Sequence, residues 1–243
     1  MQKCCIVIPC YNEAERILVN EFVAFVNEHP NFSLLFVNDG STDNTQELLE
    51  KLCANHPNIN FVSLPTNQGK AEAVRKGLLS LIGKGYFYLG FWDADLSTPL
   101  SEAVRFIACF ESTSSIKIVI GTRFKRLGSN IERSTKRHIF GRIFATFTSN
   151  ILNLPVYDSQ CGAKIFEANL VEELFKEKFI TKWIFDVELL ARYQNLVGRE
   201  TLLKSVIELP LLEWKEVPGS KISLFYMLKV PFELLKIRNY YSR

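Results

Sequence analysis

Apolar and polar positions alternate in blocks along the first half of the chain. Short apolar runs between polar turn residues predict five strands, over Cys4–Ile8, Leu34–Asn38, Ile59–Leu64, Tyr86–Phe91 and Ile116–Ile120. Longer stretches with apolar residues at helical spacing lie between them and predict helices over Ala14–Asn27, Asn44–Asn55, Lys70–Leu81 and Leu100–Ser112. Strand–helix alternation of this kind predicts an α/β fold with right-handed crossovers and a mainly parallel central sheet flanked by helices.

The pattern of the second half is less regular. Residues 121–135 are basic and polar, which predicts a mobile loop. A helix is predicted over Lys136–Asn150 by a stripe of apolar residues, namely Ile139, Ile143, Phe147 and Ile151. Another helix is predicted over Trp183–Leu196, with Trp183 expected in the core.

The end of the chain combines apolar and basic residues. Residues 220–241 form a basic amphipathic pattern that Pro231 interrupts. Such a segment either lies on an anionic membrane surface or packs on its own domain with a solvated basic face. Because no internal repeat or linker divides the chain, we predict one domain over residues 1–220, followed by a basic amphipathic tail over residues 221–243 that belongs to the same domain or contacts a membrane.

Composition narrows the class of protein. The 243 residues suffice for one large domain, and a net charge of +3 is too small for a nucleic-acid-binding surface. No stretch has the length and apolarity of a membrane span, and no signal peptide is recognised. The six cysteines lack C-x-x-C spacing and only three histidines are present, so reduced thiols rather than zinc ligands are expected. These features predict a cytoplasmic protein, with peripheral contact at the cytoplasmic face of a membrane left open.

Three polar turns follow predicted strands: Pro9–Glu13, Asn38–Asp43 and Asp93–Asp95. Ligands of open α/β sheets bind outside the carboxyl ends of the strands, where such turns would meet. Two carboxylates one residue apart can hold a hard divalent cation, which in turn can hold a diphosphate. The alternative is structural, because Asp93–Asp95 could form an Asx-turn and a helix cap before Pro99.

The combination of motifs resembles the inverting family 2 glycosyltransferases of the GT-A fold. The motifs are I-P-C-Y-N-E at 8–13, N-D-G-S-T-D at 38–43, N-Q-G-K-A at 67–71 and W-D-A-D at 92–95, and the resemblance runs from Cys4 to about Lys221. Three further motifs resemble the polyprenyl-phosphate glycosyltransferases, especially the dolichyl-phosphate β-glucosyltransferase type: D-S-Q-C-G-A-K at 158–164, W-I-F-D-V-E-L at 183–189 and W-K-E-V-P-G-S-K at 214–221.

The resemblance implies transfer of a hexose, with glucose favoured, from a UDP-sugar to a dolichyl or undecaprenyl-type phosphate in membrane-associated glycan biosynthesis. It implies a GT-A fold whose second half forms the acceptor side. It also implies Mg²⁺ or Mn²⁺ at Asp95, and phosphate binding by Arg123, Arg133 and Arg137. Asp158 and Asp186 are the catalytic candidates, acting as general base or orienting the acceptor. The residues implied around the nucleotide sugar are Pro9, Tyr11, Glu13, Asp39, Lys70, Asp93 and Asp95.

The acceptor decides whether a base is needed. A lipid monophosphate has a second pKa of about 6 and is therefore largely dianionic at neutral pH. A glycan or polysaccharide hydroxyl, the alternative acceptor, would need a base within hydrogen-bond reach. A non-catalytic UDP-sugar-binding module is the alternative of another class, and a separate membrane partner could bring the protein to its lipid. Nucleotidyltransferases and dehydrogenases are disfavoured because their glycine-rich loops are missing.

Overall fold

The computed structural model describes residues 2–217 and 229–241, which form a seven-stranded sheet with helices on both faces. A two-stranded sheet lies beside it. The elements in chain order are β1 (Cys4–Cys10), α1 (Val19–Glu28), β2 (Phe32–Asn38), α2 (Thr45–Asn55), β3 (Ile59–Ser63), α3 (Lys70–Leu79), β4 (Tyr88–Trp92), α4 (Ser101–Ser112), β5 (Ile118–Thr122), β6 (Asn130–Glu132), α5 (Thr135–Leu152), β7 (Ala163–Glu167), α6 (Ala168–Phe175), α7 (Phe185–Val197), α8 (Arg199–Ser205), β8 (Val206–Pro210), β9 (Glu213–Lys215) and α9 (Val230–Tyr241).

The order of the large sheet is β3-β2-β1-β4-β7-β5-β8, and only β7 runs antiparallel to its neighbours. Both faces are covered, which explains why the central strands read as continuous apolar runs. On β1, Cys4, Ile6 and Ile8 pack under α1, α2 and α4, whereas Cys5 and Val7 face α3 and α6. The predicted α/β fold with a mainly parallel sheet is confirmed.

Two predictions about the second half need correction. The segment 121–135 is not one loop: it completes β5 and contains β6, which pairs with β9 and buries Ile131 opposite Trp214. Trp183 is 44% exposed, so the expectation that it packs in the core is wrong. The predicted helix over Lys136–Asn150 is confirmed as α5. Of its apolar stripe, Ile139, Ile143 and Phe147 are exposed and Ile151 packs partly against the core, because α5 buries Ala145, Thr148 and Leu152 instead.

Helix α9 packs against α5 and α7 at the end of the described chain. Pro231 lies in its first turn, where a missing amide hydrogen removes no helical bond, so the helix is not interrupted there. The predicted boundary at residue 220 and the tail residues 221–228 lie outside the described residues. In the part of the chain that is described, no helix has the length and apolarity needed to cross a bilayer. All six cysteines are free thiols, as expected.

Candidate active site

The turns after β1, β2 and β4 meet at one edge of the sheet, because these three strands are parallel neighbours. The first two turns are tied together. The Asn12 amide donates to Ser41 Oγ over 3.0 Å, and the Thr42 amide donates to Asn12 Oδ1 over 2.8 Å. Pro9 is the last residue but one of β1, and Tyr11 and Glu13 lie half-buried in the turn that follows the strand. The structure thus brings together the residues expected around the nucleotide.

Asp39 is buried below this edge. Its two carboxylate oxygens accept hydrogen bonds from the backbone amides of Gln68 and Gly69, each over 2.8 Å. Burial raises the pKa of Asp39, and the two amides work in the opposite direction. The neighbouring Gly40 has φ +64°, and an added Cβ would lie 2.5 Å from the backbone of Thr66. Asp39 and Gly40 therefore hold the 66–69 turn, which begins α3 and presents Lys70.

Lys70 and Asp93 form an ion pair across the edge. Burial opposes the charge of Lys70, but the carboxylates of Asp93, Asp186 and Asp95 outweigh it and raise the Lys70 pKa. The Asp93 amide donates to the carbonyl of Gly162 over 3.0 Å. A Cβ at Gly162 would overlap the Asp93 carboxylate. Glycine at 162 is thus what allows the loop before β7 to pack directly on the D-x-D turn.

Asp95 is half-buried, and its Oδ1 accepts a hydrogen bond from the Ser97 amide over 3.0 Å. The Asx-turn alternative is therefore realised in the loop, but it engages only one carboxylate oxygen. Leu96 takes φ +50°, and Trp92 Nε1 donates to the Thr98 carbonyl over 2.8 Å, which fixes the loop further. Within the described ranges, no group of three metal-ligating side chains forms a complete protein cage.

Arg123 and Asp158, which lies four residues before Gly162, form a bidentate salt bridge. The Nε and terminal nitrogen of Arg123 donate to the two Asp158 oxygens over 2.7 and 2.6 Å. Burial works to raise the pKa of Asp158, but the Arg123 guanidinium outweighs it and lowers that pKa. Asp158 therefore carries a charge at neutral pH and orients Arg123, whose guanidinium also lies 5.4 Å from the ring of Trp214.

The three arginines expected at an acceptor phosphate converge here. Burial lowers the pKa of Arg133, and the charges of Arg123 and Arg137 lower it further. Arg137 pairs with Glu216 over 3.2 Å, and the Ser134 amide donates to the same carboxylate. The remaining cations of the segment, Lys125, Arg126 and Lys136, are exposed.

Unsatisfied polar atoms surround this cluster. Among residues 2–217 and 229–241, Thr122 Oγ1, Arg133 Nε, Ser159 Oγ and Gln160 Nε2 are buried without a hydrogen-bond partner. These residues belong to β5, to the segment after β6 and to the loop that follows Asp158. Buried polar groups of this kind are normally satisfied by protein, water or a ligand. The acceptor side thus offers several hydrogen-bonding groups that are still free.

Lys164 and Glu208 contribute to the site although neither was predicted to be a site residue from the sequence. Lys164 is 1% exposed, and its Nζ donates to Asp186 Oδ1 over 2.5 Å and to the carbonyls of Ser159 and Cys161. Glu208 accepts from the amides of Tyr157 and Asp158. Each is a charged residue inside a short apolar run, A-K-I-F and V-I-E-L. That pattern predicts a buried charge, which needs a partner elsewhere in the chain.

Comparison with known proteins identifies the family of the chain. The sequence model of glycosyl transferase family 2 matches residues 5–175. The chain belongs to that family. A dolichyl-phosphate beta-glucosyltransferase of Trichomonas vaginalis is 32% identical over 97% of this chain and 70% of its own length. The enzyme of the same name from Saccharomyces cerevisiae is 31% identical over 97% of this chain and 74% of its own length.

Solved structures confirm the GT-A fold. Glucosyl-3-phosphoglycerate synthase from Mycobacterium tuberculosis in complex with Mn²⁺ and uridine-diphosphate-glucose superposes with a TM-score of 0.67, at 16% identity, over 97% of this chain and 77% of that one. The same synthase in complex with Mg²⁺ and uridine-diphosphate has a TM-score of 0.68 at 17% identity, covering 97% and 78% of the two chains. At this identity the likeness concerns the fold.

Proposed function

We propose that this family 2 glycosyltransferase moves glucose from UDP-glucose to a dolichyl-type polyprenyl phosphate, with inversion at the anomeric carbon. The observation that carries the proposal is the contact at Gly162, which joins the D-x-D turn to the loop of the arginine cluster. A donor diphosphate and an acceptor phosphate would thus be held by adjoining loops. The names of the curated relatives supply the sugar and the lipid.

On the donor side, the turns after β1 and β2 would hold the nucleoside, with Pro9, Tyr11, Glu13 and Asp39 as the binding residues. Asp39 also acts indirectly, since it holds the turn that presents Lys70. Lys70 and Asp93 lie at the part of the sheet edge where the diphosphate of the donor would bind. Lys70 is already paired with Asp93, so a diphosphate would compete with a carboxylate for its charge.

A divalent cation fits this edge if the donor completes its ligands. Asp95 keeps one carboxylate oxygen outside the Asx-turn, and Mg²⁺ is commonly bound by one or two carboxylates together with substrate phosphates. We therefore assign the metal to Asp95. Bound there, Mg²⁺ or Mn²⁺ would neutralise charge on the departing diphosphate.

On the acceptor side, Arg123, Arg133 and Arg137 would bind the lipid phosphate, because guanidinium groups match phosphate oxygens. Asp158 would orient Arg123 rather than take a proton, since it is held in the ion pair with a lowered pKa. Asp186, fixed by Lys164, would orient the neighbouring loop. A phosphate acceptor is already ionised and requires no proton removal.

The decisive experiment is transfer from radiolabelled UDP-glucose, with Mn²⁺, to three acceptors: a polyprenyl phosphate, the same polyprenol without phosphate, and a soluble glycan. We expect product only from the phosphate. UDP-galactose and GDP-mannose serve as donor controls and should give little product.

Two results would contradict the proposal in different ways. Transfer to the glycan alone would move the function to a hydroxyl acceptor, which needs a general base. Tight UDP-glucose binding without transfer to any acceptor would make the protein a sugar-nucleotide-binding module.

A further inference from the structure

Helix α5 turns four large apolar side chains toward solvent, while its Phe144 and Ile151 are partly buried against the core. Ile139, Phe140, Ile143 and Phe147 are 52%, 45%, 49% and 49% exposed. They follow one another at spacings of one, three and four residues, so they share one helical face with Lys136. The opposite face carries the buried Ala145, Thr148 and Leu152. A helix packed in the usual way would bury the larger apolar residues instead.

The loop after β5 extends this face. Leu127 is fully exposed and Phe124 is 39% exposed. Phe124 contacts the ring of Tyr157 at 5.1 Å, and the Arg142 guanidinium of α5 lies 3.8 Å from the same ring. We call the exposed apolar residues of this loop and of α5 the α5 face: Phe124, Leu127, Ile139, Phe140, Ile143 and Phe147.

The segment that carries the α5 face is predominantly basic, although Glu216 pairs with Arg137 beside it. Residues 123–152 contain seven arginines and lysines and a single glutamate, Glu132, and α5 itself contains no acidic residue. The face adjoins the arginine cluster, since Arg123 directly precedes the loop and Arg137 lies in the first turn of α5. Exposed apolar side chains with basic neighbours are typical of surfaces that enter the headgroup region of an anionic bilayer.

We propose that the α5 face docks on an anionic membrane surface and sets the arginine cluster at the level of the lipid phosphates. A second copy of the chain fits less well, because a two-fold interface would bring the same basic patch against itself. The benefit of such docking rests on the proposed function, because the acceptor phosphate of a membrane lipid lies at the level of the headgroups. Membrane binding itself can be measured without any transfer reaction.

The test is flotation of the full chain, without donor, with vesicles of phosphatidylcholine alone or mixed with phosphatidylserine. We expect binding to the anionic vesicles. The double variant Ile143→Gln with Phe147→Gln should bind about a hundredfold more weakly, about tenfold for each half-exposed side chain withdrawn from the bilayer. The matched control is Leu196→Gln with Leu203→Gln, since these residues are 48% and 40% exposed on α7 and α8. The control should bind like the unaltered chain.

A second variant tests the charge of the face. Lys136→Glu should weaken flotation only with the phosphatidylserine vesicles, because neutral lipid offers Lys136 no net charge. Circular dichroism should show all variants folded. Flotation of the α5 double variant equal to that of the unaltered chain would overturn the proposal, as would absence of binding by the unaltered chain.

Other occupants give distinct results. Dimers in sedimentation velocity that the α5 double variant abolishes would assign the face to a second copy. Loss of flotation in Phe225→Gln, with none in the α5 double variant, would move the membrane contact to the tail.

Transfer to a short-chain polyprenyl phosphate in solution is measured separately. If that transfer succeeds without vesicle binding, the docking inference fails and the function stands; if vesicle binding occurs without transfer to any acceptor, the function fails and the docking stands.

Discussion

The donor and acceptor sides of the site are built differently. On the donor side, side chains at the ends of β1, β2 and β4 are engaged by backbone amides, such as those that Asp39 accepts from Gln68 and Gly69. On the acceptor side, three arginines gather around two carboxylates, and buried polar atoms of Thr122, Ser159 and Gln160 have no hydrogen-bond partner within the described part of the chain. The fold fixes the donor edge through backbone amides and leaves one Asp95 oxygen for a metal, whereas the acceptor edge has several unpaired polar groups.

This difference indicates that a bound substrate would stabilise the acceptor edge more than the donor edge. Backbone amides cannot dissociate from the fold, so the donor edge is preorganised before any ligand arrives. The clustered guanidinium groups repel one another: the pKa of Arg133 is lowered by burial and by the charges of Arg123 and Arg137, against the carboxylates of Asp158 and Glu216. We therefore expect changes on the donor side to affect the chemistry most strongly, and changes on the acceptor side to separate stability from acceptor binding.

The largest effect is expected for Asp95→Asn. Removing the carboxylate assigned to the metal should lower kcat about a thousandfold, about 4 kcal/mol, because charge on the departing diphosphate is then less well neutralised. Initial rates at increasing Mn²⁺ concentration measure the effect. Glu111→Gln, an exposed acid on α4, is the control and should leave the rate unchanged. Equal Mn²⁺-dependent rates in Asp95→Asn and the unaltered chain would refute the metal assignment.

The donor side was predicted from the sequence far better than the acceptor side. Strands β1, β2 and β4 are apolar runs followed directly by polar turns, so the strand and the site residues at its carboxyl end are both visible in one short stretch of sequence. Strands β7 and β8 carry Lys164 and Glu208 within their apolar runs, and their partners lie in other parts of the chain. The outward direction of the α5 stripe depends on which neighbours cover the helix, and periodicity does not encode that.

The next effect concerns the stability of the acceptor side. Arg123→Met leaves Asp158 buried without its partner and should lower the free energy of unfolding by about 3 kcal/mol at pH 7. Urea unfolding measures it. Lys117→Met removes the more exposed pair with Glu167 and, as the control, should cost at most about 1 kcal/mol.

The loss of unfolding free energy in Arg123→Met should depend on pH. Because the folded-state pKa of Asp158 is lowered, the stability from the pair is present above the unfolded pKa of about 4 and is lost as pH falls through the folded pKa. In Arg123→Met the folded-state pKa of Asp158 should rise, because burial remains. The difference between the two proteins should therefore begin to shrink above pH 4, where Asp158 of the variant takes up a proton, and continue to shrink down to the folded-state pKa of Asp158 in the unaltered chain. A difference that stays constant across this range would contradict the role given to Asp158.

A smaller effect is expected at the junction of the two sides. In Gly162→Ala the new methyl group overlaps the Asp93 carboxylate, which should cost about 2 kcal/mol of stability by overpacking. The control is the same change in an Asp93→Ala background, where the overlap is gone and the cost should be largely recovered. Equal costs in both backgrounds, measured by urea unfolding, would mean that the contact with Asp93 does not determine the choice of glycine.

The smallest effect on stability is expected for Arg133→Met, and its direction is the informative part. The change removes a guanidinium that burial and two neighbouring arginines disfavour, so stability should stay equal or rise by up to about 0.5 kcal/mol. The KM for polyprenyl phosphate should rise at the same time, while the KM for UDP-glucose should not change. Clear destabilisation with both KM values unchanged would make Arg133 a structural residue. The expected outcome would instead mean that the acceptor edge gives up stability to keep a site for an anion.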